Sequence, residues 1–100
     1  MSESKSYRIH PEVWLELEAA DDWYLERSLD ASAEFIAVVY DAFETISHAP
    51  GRWPAYLYGT RRFVLRCFPF SIIYLDELEM PIIVAVAHSK RRPGYWKARL

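Results

Sequence analysis

The sequence predicts an α+β fold in which a short N-terminal strand is followed by an antiparallel helix hairpin and then by a three-stranded antiparallel meander. Apolar residues recur at helical spacing between Val13 and Ile46, and from residue 61 onward the spacing becomes that of strands. A chain of 100 residues has room for a single core, so we expect residues 1–100 to form one domain. Helices packed on one face of a sheet bury both apolar surfaces.

The first segment, Tyr7-Arg8-Ile9, is short and alternating, as a strand would be, and Pro11 marks the first turn of a helix. One side of this helix carries an apolar stripe: Val13, Leu17, Ala20 and Tyr24. The other side is acidic and is expected to face solvent: Glu16, Glu18, Asp21, Asp22 and Glu26. Adjacent Asp21 and Asp22 diverge by about 100° on a helix, which excludes a catalytic carboxylate pair.

A second helix is expected after a break at residues 28–30, where Asp30 can serve as its N-cap. Its repeat is the most regular in the chain: Phe35, Val38, Val39, Ala42, Phe43 and Ile46. The helix should end near His48, because Pro50 and Gly51 cannot extend it. We interpret His48 as a residue whose positive charge would suit the C-terminus of the helix, and the alternative is that it binds a metal. The short link between the helices predicts an antiparallel hairpin.

Three strands are predicted after the helices, at about Arg61 to Arg66, Phe70 to Leu75 and Pro81 to His88. The last two are apolar on both faces, which is typical of strands that are covered on both sides. We expect the core to contain seven residues from the second helix and the last two strands: Phe35, Val39, Phe43, Ile46, Ile73, Val84 and Val86.

Composition excludes several classes of protein. A hydrophobic fraction of 52% with four Trp residues is incompatible with intrinsic disorder, and no apolar run approaches the roughly 20 residues of a membrane span. Residues 1–6 lack the apolar core of a signal peptide, and the single Cys67 cannot form an internal disulfide, so we expect a cytoplasmic location. Cys67 is expected to pack in an apolar environment. We expect no membrane association, cofactor or metal.

Charge is divided between the two halves of the chain. Residues 1–50 carry three basic and eleven acidic residues, a net charge of −8, whereas residues 51–100 carry nine basic and three acidic residues, a net charge of +6. The total of −2 argues against general nucleic-acid binding, which relies on many cation–phosphate contacts. A cationic second half can still hold an anionic ligand or an acidic partner segment.

The cationic run Lys90-Arg91-Arg92 directly follows the last strand and must face water, because burying an unpaired charge is costly. Pro93-Gly94 then stops the strand and lets Tyr95 and Trp96 fold back. One interpretation is a surface for an anionic partner. The other is a soluble sheet edge with two aromatic residues that cap the core.

Two surfaces are predicted near this run. Arg62, Arg66 and residues 88–92 are expected to converge on an open, concave face of the sheet. A second expectation is a set of exposed aromatic residues suited to an amphipathic, acidic partner segment: Trp53, Tyr56, Tyr58 and Trp96.

Two motifs resemble the RelE/ParE superfamily of type II toxin–antitoxin toxins, also known as the plasmid stabilisation family. They are the strand Phe68-Pro69-Phe70-Ser71-Ile72-Ile73-Tyr74 and the tail His88-Ser89-Lys90-Arg91-Arg92-Pro93-Gly94-Tyr95-Trp96. The resemblance implies a short C-terminal helix after the meander. It also implies a protein that inhibits growth, is neutralised by a cognate antitoxin, and forms a dimer or a toxin–antitoxin heterotetramer.

The resemblance leaves two mechanisms open. RelE-like members cut messenger RNA on the ribosome without a metal, and the corresponding catalytic candidates here are Arg62, Arg66, His88, Arg91 and Tyr95. However, Ser71 and Val64 stand where RelE-like nucleases carry an Arg and a Lys. The departure favours the ParE-like mechanism, in which the toxin binds an essential target such as DNA gyrase. A third alternative is an antitoxin-binding module that has lost its toxicity.

On the ParE-like interpretation the same cationic and aromatic residues would bind a partner. The predicted partner-binding residues are Arg62, Arg66, Lys90, Arg91, Arg92, Tyr95 and Trp96. For His88, the structural alternative is a hydrogen bond to a neighbouring loop at the end of the strand. For Tyr95 and Trp96, the alternative is packing.

Overall fold

The computed structural model describes residues 7–100 and has the α+β architecture expected from the sequence. Its regular elements are β1 (Arg8–Ile9), α1 (Pro11–Leu25), α2 (Leu29–His48), β2 (Arg61–Val64), β3 (Phe70–Leu75) and β4 (Ile82–His88). Two short 3₁₀ helices lie at Leu57–Gly59 and Lys97–Arg99, and the second occupies the place of the predicted C-terminal helix.

The sheet has the strand order β1-β4-β3-β2 and is mixed. The meander is present as predicted, because β2 pairs antiparallel with β3 and β3 pairs antiparallel with β4. The sheet as a whole is not a pure antiparallel meander, however, since β1 pairs parallel with β4 through Arg8 opposite Ile82 and Ile9 opposite Ile83. Both helices and two strands separate β1 from β4, so packing of the helix hairpin sets their relative direction, which local sequence does not report.

Polar side chains fix where each helix begins. The His10 Nδ1 atom accepts a hydrogen bond from the Glu12 N–H at 3.1 Å, and the Ser28 hydroxyl accepts one from the Ala31 N–H at 3.2 Å. The prediction that Asp30 caps α2 is wrong, because the extended backbone that an N-cap requires occurs at Ser28. Asp30 lies in the first turn instead, where its negative charge suits the helix dipole.

All seven predicted core residues are buried, but they divide between the two faces of the sheet. The larger cluster, between the helices and the sheet, includes Phe35, Phe43 and Val86. The smaller cluster lies on the other face and contains Ile73, Val84, Ala85 and Trp96. Val84 and Ala85 both belong to it because a register shift between Ile73 and Tyr74 gives β4 one extra residue. The sheet is therefore covered on both faces, as its continuous apolarity predicts.

Cys67 lies in the turn between β2 and β3, where it is exposed and has a positive φ of 66°. The expectation that it packs in an apolar environment is wrong, because the turn places its side chain outside the core. Within residues 7–100, neither helix combines the length and apolarity needed to cross a bilayer.

Candidate functional site

A groove of about 660 Å³ runs between α1, the end of β4 and the segment that follows β4. We call it the α1 groove. Helix α1 supplies one wall, and β3, β4 and the C-terminal residues supply the floor and the other wall. It is lined by Glu12, Leu15, Glu16, Ala19, Ala20, Trp23, Tyr24, Pro69, Phe70, Val86, His88, Lys90, Arg91, Tyr95 and Arg99.

The wall contributed by α1 is mainly apolar, apart from Glu12 and Glu16. Leu15, Ala19 and Trp23 follow one another at intervals of four residues, which places them on one side of the helix. Leu15 is 58% exposed and Trp23 is 52% exposed, so neither side chain belongs to the core. The Arg27 guanidinium lies 3.6 Å above the Trp23 ring and donates a hydrogen bond to the Trp23 carbonyl at 2.7 Å. The Arg27 guanidinium therefore packs against one face of the Trp23 ring.

The opposite wall is cationic and is organised around the end of β4. The His88 ring packs edge-on against Phe70, with 4.9 Å between ring centroids. Its Nδ1 atom accepts a hydrogen bond from the Lys90 N–H at 3.0 Å, which fixes the turn that carries Lys90 and Arg91. The Arg91 guanidinium lies 3.7 Å from the centre of the Tyr95 ring. The hydrogen bond from the Lys90 N–H to His88 agrees with the structural alternative for His88, in which the residue holds a loop at the end of the strand.

Glu16 connects α1 with β4 and with the C-terminal segment. One carboxylate oxygen accepts a hydrogen bond from the Val86 N–H at 2.9 Å. The other accepts one from the Tyr95 hydroxyl at 2.5 Å and lies 2.9 Å from the Arg99 guanidinium. Only 13% of the Glu16 side chain is exposed, so the assignment of Glu16 to the solvent-facing side of α1 is wrong. A helical wheel cannot show that the chain returns over this position after 70 residues.

Tyr95 is poorly suited to proton transfer. Burial raises the pKa of its hydroxyl most, and the hydrogen bond to Glu16 and the charge of Glu16 raise that pKa further. The hydroxyl proton is donated to Glu16 and is not directed toward a ligand. The observed role of Tyr95 is to hold the C-terminal segment against α1.

Four of the predicted site residues, Arg62, Arg66, Arg92 and Trp96, do not line the groove. Arg62 is opposite Ile73 on the face of the sheet that carries the smaller cluster, and its guanidinium lies 4.4 Å from the centre of the Tyr56 ring. His88 is opposite Phe70 and belongs to the helix-bearing face. The predicted convergence of Arg62 with residues 88–92 is therefore wrong, because alternation along the strands sends these side chains to opposite faces.

Trp96 is 1% exposed and packs beneath the 3₁₀ helix at Leu57–Gly59. The expectation that it is exposed is wrong, because the backbone turn at Gly94, with φ of 84°, directs it against the sheet. Tyr58 covers this turn so closely that a Cβ at Gly94 would lie 2.9 Å from the Tyr58 ring. Arg66 and Arg92 are exposed and do not line the α1 groove.

A family model for the ParE toxin of the type II toxin–antitoxin system parDE matches residues 7–93. The chain belongs to the ParE toxin family. It is also similar to a solved structure from the chromosomal ParDE toxin–antitoxin system of P. aeruginosa, with a TM-score of 0.75 and 15% sequence identity. The similarity covers 89% of this chain and all of the other chain, and at this identity it shows a shared fold. No protein of curated function matches the chain.

Sequence reasoning missed four residues that build the groove of this ParE-family chain: Leu15, Glu16, Ala19 and Trp23. A signal was present for the apolar ones, because their spacing of four residues forms a second stripe beside the core stripe. No signal identified Glu16, whose partners lie 70 or more residues away. Within residues 7–100, no group of three His, Cys, Asp or Glu side chains is arranged to hold a metal ion.

Proposed function

We propose that this chain is the toxin of a type II toxin–antitoxin pair and that it arrests bacterial growth by binding an essential protein, for which DNA gyrase is the candidate. Membership of the ParE toxin family supports the toxin role. The separation of Arg62 from His88, on opposite faces of the sheet, is the observation that favours binding over catalysis.

A metal-independent ribonuclease needs a base for the ribose 2′-hydroxyl, an acid for the leaving oxygen and fixed cations near the scissile phosphate. In this chain Arg62 cannot share a phosphate with His88 across the sheet. Tyr95 is engaged with Glu16, and its raised pKa makes it a weak proton donor. Arg99, which also lines the groove, is neutralised by Glu16. The residues required for cleavage are thus dispersed or already paired.

We further propose that the α1 groove receives a segment of the cognate antitoxin in the cytoplasm. The groove offers an exposed Trp and Leu on one wall and the cations Lys90 and Arg91 on the other. An amphipathic segment with apolar anchors and acidic residues matches both walls, since Trp and Arg dominate binding energy at interfaces. The toxin and antitoxin would then form a heterodimer or a heterotetramer.

One observation favours the alternative, a RelE-like nuclease that acts on ribosome-bound messenger RNA. His88, Lys90, Arg91 and Tyr95 all line the same groove, so a base and two cations lie on one surface. On this alternative the groove would hold RNA, and His88 would accept the proton of the 2′-hydroxyl.

The two mechanisms are separated by induction of the toxin in growing cells, followed by primer extension on translated messages and measurement of double-strand DNA breaks. We expect DNA breaks and an SOS response with no cuts within codons. Codon-phased cuts that disappear in His88→Ala and Arg91→Ala, but persist in Arg92→Ala, would establish the nuclease. Arg92 is the matched control because it is an exposed Arg outside the groove.

A further inference from the structure

Strand β4 has an outer edge that β1 covers only in part. Strand β1 pairs with Ile82 and Ile83, and the last backbone bond between them runs from the His10 N–H to the Ile83 carbonyl at 2.9 Å. The chain then enters α1 at Pro11, so within residues 7–100 no strand pairs with the outer edge of β4 from Val84 to His88, while β3 pairs with its inner edge. Backbone groups on such an edge are a template for pairing with another strand.

Two side chains occupy the part of this outer edge that β1 does not reach, and they do so in place of a strand. The Arg99 guanidinium donates to the Val84 carbonyl at 3.0 Å, and the Glu16 carboxylate accepts from the Val86 N–H at 2.9 Å. A neighbouring strand would supply one donor and one acceptor at the same two backbone groups. Glu16 and Arg99 also pair with each other at 2.9 Å.

We propose that Glu16 and Arg99 form a plug that closes the outer edge of β4 against pairing with a second copy of this chain. The N–H and C=O of one strand residue point to the same side, so the next outward groups are the Val86 carbonyl and the His88 N–H. With the Val84 carbonyl and the Val86 N–H, which the plug occupies, these groups form a continuous row of backbone donors and acceptors. The row is long enough for the β4 edges of two copies to pair antiparallel about a two-fold axis. The plug interrupts that row. This inference does not depend on the target of the toxin.

The plug requires a hydrogen-bond acceptor at one position and a donor at the other, whereas an ordinary ion pair would tolerate an exchange of the two residues. The residue at position 16 must accept a hydrogen bond, and the residue at position 99 must donate one. An exchange of the two charges would restore the ion pair and leave both backbone groups without partners, because Arg cannot accept and Glu cannot donate. The charge-exchanged protein therefore separates a plug from a simple salt bridge.

Amide hydrogen exchange tests whether Glu16 protects the edge. We expect the Val86 amide to exchange about tenfold faster in Glu16→Leu than in the natural chain. Glu16→Gln should retain most of the protection, because its amide oxygen still accepts. The Ile73 amide of the central strand β3 serves as the internal reference for global unfolding. Equal exchange at Val86 in the natural chain and in Glu16→Leu would overturn the proposal.

Light scattering tests whether the plug prevents self-association. At about 1 mM protein, where weak pairing is populated, we expect the natural chain to be monomeric and Glu16→Leu/Arg99→Leu to form dimers. The charge-exchanged variant, Glu16→Arg/Arg99→Glu, should also dimerise and supplies the same test if the Leu variant does not fold. A folded variant of either kind that remains monomeric at this concentration would show that the plug does not control association.

Discussion

The guanidinium of Arg99 lies 2.9 Å from the carboxylate of Glu16, and both side chains are more than four-fifths buried. This pair fastens the end of the described chain to the first helix and closes one side of the α1 groove. It also neutralises Glu16, which is one of the two acidic residues that line the groove. Within residues 7–100, Lys90 and Arg91 have no ion-pair partner, and Glu12 is exposed. The cationic wall is thus available to an acidic partner.

Replacement of Trp96 by Ala should reduce folding stability by about 3–5 kcal/mol, because the side chain is 1% exposed and its loss leaves a cavity beneath the sheet. Denaturant unfolding measures the change. Trp14→Ala is the control, since Trp14 is 48% exposed and its replacement should cost less than about 1 kcal/mol. Equal losses for the two variants would contradict the burial of Trp96.

The stability of the chain should fall at alkaline pH, in part because of Tyr95. Burial and Glu16 raise the pKa of Tyr95 in the folded chain, whereas a Tyr in an unfolded chain ionises near pH 10. The stabilisation is therefore complete below about pH 10 and is lost as pH rises toward the folded pKa. Burial also raises the pKa values of Tyr7, Tyr24 and Tyr74, which contribute in the same direction.

Thermal melting of the natural chain and Tyr95→Phe, measured from about pH 8 to pH 11, checks this prediction. The Tm of Tyr95→Phe should fall less steeply above about pH 10, since the variant has no hydroxyl to ionise at this position. We attribute the remaining fall of Tm with pH to ionisation of Tyr7, Tyr24 and Tyr74. Parallel slopes for the two proteins would show that ionisation of Tyr95 does not contribute to the loss of stability at alkaline pH.

The local elements could be predicted from the sequence because their signals are local. The repeat from Phe35 to Ile46 identified α2, and the apolar runs around Ile73 and Val84 identified β3 and β4. The parallel pairing of β1 could not be predicted, because it depends on how the helix hairpin packs. The capping residue was misplaced by two positions, since both Ser28 and Asp30 have side chains able to cap.

The candidate site could be predicted only in part. The cationic run after β4 was found, and Lys90 and Arg91 do line the α1 groove. The inclusion of Arg62 in one convergent surface was wrong because the strand register places it on the other face of the sheet. Glu16 could not be found at all, because its role arises from contacts with Val86, Tyr95 and Arg99 that are distant in sequence.

If the α1 groove binds the antitoxin, Trp23→Ala should weaken that complex by about tenfold to a hundredfold, because aromatic anchors carry most of the binding energy at interfaces. Calorimetry with the protein encoded by the neighbouring gene gives the affinity. Trp14→Ala is a matched control: it lies on the same helix and has similar exposure, but it does not line the groove. Equal affinities for Trp23→Ala and Trp14→Ala would place the antitoxin elsewhere.

The most direct test of the proposed function uses the purified chain and purified DNA gyrase in a supercoiling assay, with a parallel reaction that contains translating ribosomes and messenger RNA. We expect inhibition of supercoiling that is relieved by the antitoxin, and an intact message in the parallel reaction. Full supercoiling activity at a large excess of the chain, together with cleavage of the message on ribosomes, would contradict the proposal and establish the nuclease.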